Sequence, residues 1–275
     1  MPAQSSLRRS VLRVVLPTGL LAGLFIAHAA QARMVAKPVS WTFEGTPFAS
    51  VLVYDDAVAT RRPGLLMVPA WFGVNENAIR KAGRIAGQRY VILLTDMYGA
   101  TVRPRNTGQA RDAVRPLLAD RALMRRRVTF ALGQFRAQAA QAPVDVSHLA
   151  AIGFCFGGAA VLDLARSGAD VAAVVSFHGN LGTDNPALAH NIRASVLAMN
   201  GADDETTSPQ FSGFTQEMRA SPAPWQFVVI GHAVHCFTET EATAPTGLCR
   251  YDPQAAARSY GLMQQWLADG FAARP

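Results

Sequence analysis

The segment Gly153-Phe154-Cys155-Phe156-Gly157-Gly158 constrains this chain more than any other. It follows an apolar run, His148 to Phe154, and precedes a helix-forming run, Ala159 to Arg166. A strand, a tight glycine-flanked turn and a helix make the setting of a nucleophile elbow, here with cysteine in the middle position. Side chains two residues to either side would collide across so sharp a turn, which accounts for Gly153 and Gly157. The turn also puts Cys155 at a helix N-terminus, where the dipole and free N–H groups favour a thiolate. The spacing does not match G-x-G-x-x-G, so a dinucleotide fingerprint fails at its second glycine.

The flanking pattern predicts the layers around the elbow. Residues 39–43 and 48–54 read as a pair of strands joined around Gly45-Thr46-Pro47. Short apolar runs at 64–69 and 90–94 read as strands buried on both faces, and 171–176, 195–199 and 225–230 read as further strands. Helices are predicted at 75–88, 116–139, 208–219 and 254–268, with a loop through Pro104, Asn106 and Gly108. Buried strands alternating with helices imply an α/β fold, with a mainly parallel central sheet and helices on both faces. Ligands bind such sheets at the carboxyl ends of strands.

The N-terminus reads as a targeting segment. Arg8, Arg9 and Arg13 form a positive region, Val14 to Ala27 an apolar one, and Ala30-Gln31-Ala32 a cleavage site. Residues 1–32 are therefore expected to be a signal peptide, with an order at Arg8-Arg9 that resembles a twin-arginine signal, and 33–275 the exported domain. An uncleaved anchor is the alternative, although the apolar stretch is short and broken for a membrane span. Export implies a periplasmic or secreted protein with no stable membrane insertion after cleavage. Without the three leader arginines, 23 basic residues face 19 acidic ones, a net charge of +4. That excess is too mild and too dispersed for nucleic-acid binding. Arg121 and Arg125-Arg126-Arg127 are expected on a solvated helix face. Of the three cysteines, Cys236 and Cys249 form a candidate disulfide, and two separate thiols are the alternative.

A cysteine nucleophile needs a base, and the base an orienting acid. In a fold built around the elbow these follow in the order nucleophile, acid, histidine, each after a later strand. Asp203 directly follows the strand ending at Met199, and His235 closely follows the one ending at Ile230. Asp203 is preferred to Asp204, and His235 to His232. His178 ends another strand at the same edge and is either a pocket residue or a structural histidine. No cluster of His, Cys, Asp or Glu has metal-ligand spacing, and no metal or cofactor is expected.

With these residues in view, the chain resembles the dienelactone hydrolase family of α/β-hydrolases over nearly all of residues 33–275. The matching stretches run from Pro63 to Asn75, Thr95 to Gly99, Gly153 to Gly158, Phe177 to Gly179, Asn200 to Asp203 and Ala233 to Thr238, with Tyr251-Asp252 and Ala255 to Ser259. The resemblance implies an α/β-hydrolase fold, a Cys155–Asp203–His235 triad, and an oxyanion hole from the backbone N–H groups of Phe156 and Trp71. It implies hydrolysis of a small-molecule ester or lactone without a cofactor. Ala70 stands where studied members carry a glutamate that helps convert thiol to thiolate, which leaves His235 and the helix terminus to activate Cys155. Tyr98, Arg103 and His178 are candidate substrate contacts, and Arg103 with Arg105 fits a substrate carboxylate. A silent binding protein on the same fold, or a thiol-based acyl-transfer or redox enzyme, are the other classes open.

Overall fold

A computed structural model describes residues 33–274. The leader assigned to residues 1–32 lies outside them. Eight strands form one sheet: β1 (Met34–Phe43), β2 (Thr46–Asp55), β3 (Arg62–Val68), β4 (Val91–Leu94), β5 (Val144–Phe154), β6 (Ala173–Phe177), β7 (Ser195–Gly201) and β8 (Trp225–Ile230). Their spatial order is β1-β2-β4-β3-β5-β6-β7-β8. The first two strands and the β2–β4 pair are antiparallel, and every other neighbour is parallel. The hairpin turns on Glu44 and Gly45, with φ of 46° and 74°, the two successive positive values that a tight turn matched to strand twist needs.

Six α-helices accompany the sheet, with three short 3-10 helices among the described residues: α1 (Glu76–Ala86), α2 (Thr107–Ala119), α3 (Arg121–Ala137), α4 (Phe156–Arg166), α5 (Phe211–Met218) and α6 (Pro253–Ala272). Alternation along the strands divides the core in two. Leu66, Val68, Leu93, Ala151, Val174 and Val196 pack with residues of α2, α3, α4 and α5. Leu65, Met67, Ile92, Ile152, Val175 and Leu197 pack with residues of α1 and α6. The α/β-hydrolase expectation of a mainly parallel sheet covered on both faces is met.

The long helix expected at 116–139 is two helices. Asp120 breaks it with non-helical angles and caps α3, its carboxylate accepting the Leu123 N–H at 2.8 Å. The preceding helix starts earlier than the sequence reading has it. Asn106 caps it by accepting the Gln109 N–H at 3.0 Å, while Gln109 Oε1 accepts the Arg105 N–H at 2.8 Å. This reciprocal pattern resembles a capping box, and the loop residues Asn106 and Gly108 concealed it.

The arginine run on α3 is also corrected. Arg126 is exposed and pairs with Glu44, but Arg121 is buried and grips the buried Asp163 of α4 through Nε at 2.9 Å and Nη2 at 3.0 Å. Arg125 pairs with Asp184, and Arg127 donates to the Met97 carbonyl. Arg166 joins the cluster, bonding Asp163 at 3.0 Å and Glu217 at 2.7 and 2.8 Å. The run ties α3 to α4 and to the loops at Glu44, Met97 and Asp184, and Arg166 extends the cluster to α5, which one helix read alone does not reveal.

Cys236 and Cys249 form a disulfide across 13 residues, which leaves Cys155 as the free cysteine among the described residues. Thiol titration of the denatured, unreduced protein is expected to find one group per chain; three would contradict the bridge. By loop-closure entropy, removing it by a double Cys→Ser substitution is expected to cost about 3 kcal/mol in denaturant melts.

Candidate active site

The elbow forms where β5 meets α4. Cys155 has φ of 52° and ψ of −117°, outside the regions non-glycine residues favour. Strain at a single residue of this kind is characteristic of functional turns. A Cβ at Gly153 would lie 2.0 Å from the Gly157 carbonyl oxygen, and one at Gly157 would lie 2.0 Å from that of Val68. Both glycines are therefore steric requirements. The second approach brings the first turn of α4 against the end of β3.

Two loops at the same sheet edge complete the array. His235, beyond β8, sets Nε2 at 3.1 Å from Cys155 Sγ. Its Nδ1 lies 2.7 Å from Oδ2 of Asp204, not Asp203. The Asp204 side chain is 1% exposed, whereas that of Asp203 is 56% exposed and lies near the solvated His232. The expectation for Asp203 is thus corrected. Its cause is the length of β7, which runs to Gly201 rather than Met199 and so starts the acid loop two residues later. His235, preferred to His232 from the sequence, is the histidine at the sulfur.

Asp204 is held by more than the histidine. It accepts the Thr206 N–H at 3.0 Å and the hydroxyls of Thr206 and Thr207 at 2.5 and 2.8 Å. Burial alone would push this carboxyl up, but the bonds from His235 and the threonines outweigh it and hold it at about 2. Burial likewise opposes the charged form of His235. The bonds to Asp204 and Cys155 prevail and raise it to about 10.

These shifts fix a pH dependence of stability. The contribution of His235, raised from 6.5, is whole below that value and drains away as pH rises through about 10. The contribution of Asp204, lowered from 3.8, is whole above that value and is lost as pH falls through about 2. Thermal melts of the native protein and of Asp204→Asn are therefore expected to differ most between about pH 4 and 6.5, with the gap narrowing toward pH 10. A gap that stays constant over this range would contradict the charge pair.

His178 is wholly buried and does not line the pocket, so the substrate-contact expectation is corrected. Its Nδ1 accepts the Cys155 N–H at 3.2 Å, and its Nε2 therefore carries the proton that reaches Thr238 Oγ1 at 2.7 Å. Burial, followed by the nearby charges of His235 and Lys81, keeps the ring neutral, well below the usual histidine range. It buttresses the elbow from behind.

Tyr98 and Arg103 are also displaced from the expected role. Tyr98 is buried; its hydroxyl donates to the Trp71 carbonyl at 3.0 Å, and its ring stacks on Phe156 at 5.5 Å. It braces both residues expected to supply oxyanion donors. Arg103 is consumed by Asp96 at 3.1 Å and by the carbonyls of Ala49, Gly99 and Val102. Arg103 and Arg105 line a second cavity, apart from the one that holds Cys155. Among the described residues, the backbone N–H groups of Trp71 and Phe156 donate to no protein acceptor.

Cys155 opens onto a cavity of about 330 Å³. Trp71, Phe72 and Phe154 give it aromatic walls, Ala70 lies beside them, and the Cys236–Cys249 bridge closes one side. Lys81 and Glu239 also face it, joined Nζ to Oε1 at 2.6 Å. Sequence reading missed this pair, because its members are far apart in the chain and neither belongs to a motif.

The comparisons with known proteins agree with this architecture. The family model described as Dienelactone hydrolase family matches residues 48–271. A crystal structure of a dienelactone hydrolase-like promiscuous phosphotriesterase from metagenomic libraries is 35% identical, covers 88% of this chain and 100% of that one, and has a TM-score of 0.80. An uncharacterised protein of Caenorhabditis elegans is 37% identical over 137 residues, 47% of this chain and 84% of its own. The dienelactone hydrolase of Anabaena variabilis, 19% identical with a TM-score of 0.63 over 86% of this chain and 98% of that one, shares the fold.

Proposed function

The chain belongs to the dienelactone hydrolase family, and on that premise we propose that it hydrolyses carboxylic esters or lactones through Cys155. The observation that carries this reading is His235, set between Asp204 at 2.7 Å and the sulfur of Cys155, on its strained elbow, at 3.1 Å. A protonated imidazole beside the sulfur is the counter-ion a thiolate needs.

In the proposed reaction the Cys155 thiolate attacks the carbonyl carbon, and the carbonyl electron pair moves onto oxygen. The N–H groups of Phe156 and Trp71 receive that oxyanion, and each such donor is typically worth about 3–4 kcal/mol of barrier. As the tetrahedral adduct collapses, the carbon–oxygen bond breaks and His235 Nε2 gives its proton to the leaving alkoxide. The neutral ring then takes a proton from water, hydroxide attacks the thioester, and the thiolate leaves with the acid as product. Asp204 holds the ring orientation throughout and stays ionised.

We further propose that the protein acts outside the cytoplasm. The disulfide and the leader-like composition of residues 1–32 support this. The test of the catalytic reading is turnover of short p-nitrophenyl esters, run beside Cys155→Ala. Hydrolysis that disappears in the variant is the expected result. Equal rates in both would overturn the assignment of Cys155, and a redox or binding role would replace it. The phosphotriesterase named among the relatives makes an uncharged phosphate triester a second substrate to screen.

A further inference from the structure

The charges around the Cys155 cavity carry an inference about what it admits, and it rests on the hydrolase reading above. Among the described residues, Lys81 is the cation lining this cavity. It is not free. Its Nζ is 2.6 Å from Glu239 Oε1, with the two side chains 5% and 10% exposed, and it sits 4.3 Å from the centre of the Phe154 ring. Glu241 lines the same cavity, is exposed and is not balanced by Lys81, which is engaged with Glu239, nor by His235, which is held between Cys155 and Asp204. The arginines that suit a carboxylate, Arg103 and Arg105, line the other cavity.

We propose that this site selects uncharged esters, and that Glu239 and Glu241 reject substrates bearing a carboxylate. An anionic group entering the cavity would meet Glu241 at its mouth and a Lys81 already neutralised by Glu239, and would lose hydration against the aromatic walls with no free cation in return. Lys81 would have to share its one positive charge between that group and Glu239, a largely buried carboxylate that already takes it up. A neutral acyl or aryl group meets neither penalty and finds Trp71, Phe72 and Phe154 as contact surface. The selection is therefore built by repulsion as well as by contact.

The experiment compares two esters of equal length, the 4-nitrophenyl esters of glutaric acid and of its monomethyl ester, each corrected for its uncatalysed rate. At low ionic strength kcat/KM is expected to favour the methyl ester by at least about tenfold. The preference is expected to narrow severalfold in Glu239→Gln and in Glu241→Gln. The second variant changes only an exposed charge and keeps the test valid if the first fails to fold. Equal rates, preference for the acid, or a preference unchanged in a folded variant would overturn the proposal.

A second readout does not need hydrolysis. The rate of Cys155 alkylation by neutral iodoacetamide is divided by that with anionic iodoacetate, in the native protein and both variants. The ratio is expected to fall in the variants, and an unchanged ratio overturns the charge filter. Failure of both esters to turn over, together with a shifted alkylation ratio, would sink the hydrolase reading and leave the filter standing.

Discussion

Asp204→Asn is expected to lower kcat for ester hydrolysis by about 10²-fold or more, while Asp203→Asn leaves it within about twofold. The contrast follows from geometry. Asp204 Oδ2 meets His235 Nδ1 at 2.7 Å, and Asp203 points away into solvent. An asparagine at 204 presents either an amide N–H, which forces the wrong tautomer on His235, or a neutral oxygen that no longer stabilises the imidazolium. The loss should fall on kcat rather than KM, because Asp204 does not line the substrate cavity. Steady-state kinetics of the two neighbouring variants, which make the same carboxylate-to-amide change at adjacent positions, provides its own control for surface-charge effects. A loss at Asp203 with none at Asp204 would refute the arrangement.

The largest expected effect on stability lies away from the reaction. Asp163→Ala is expected to destabilise the fold by about 3–5 kcal/mol, the usual cost of removing one partner from a buried ion cluster. Asp163 is wholly buried and receives Arg121 through two bonds and Arg166 through a third. Without it, two guanidinium groups face one another with Glu217 as the remaining buried carboxylate. Replacing the cluster by apolar residues would be a different experiment, and buried pairs often yield little when exchanged whole. Urea melts measure the loss, and activity per folded molecule should stay near native. A change below about 1 kcal/mol would show that the cluster relaxes or takes in water.

Local requirements were the legible part of this chain. The elbow was visible because two steric collisions, at Gly153 and Gly157, leave a sequence trace within five residues. The buried strands showed as continuous apolar runs for the same kind of local reason, since a sheet covered on both faces excludes polar side chains from its centre. Strand order was not legible: β3 lies between β4 and β5 through crossovers that no local pattern specifies. The misassigned acid shows how small a margin can decide a site. Two aspartates stand side by side, and extending β7 to Gly201 chooses between them. A signal was present in Asp204 and Thr206, an Asx turn two residues long that marks the buried member.

Side-chain partnerships across the fold were the illegible part. Arg103 reads as a loop charge suited to a substrate carboxylate until Asp96 takes it. His178 reads as an edge histidine until β6 places it under the elbow, with its ring bonded to the Cys155 amide. Lys81 and Glu239 meet only because α1 and the histidine loop converge on the same cavity. In each case the residue type was informative, but its partner came from a distant element.

In the proposed reaction Cys155 carries the acyl group during turnover. This step is tested most directly by rapid acid quenching of the protein with excess p-nitrophenyl acetate, followed by intact-mass measurement and peptide mapping. One acetyl group per chain is expected on Cys155, formed with a burst of nitrophenol and absent in Cys155→Ala. Turnover with no adduct on Cys155, or with the adduct on another residue, would contradict it.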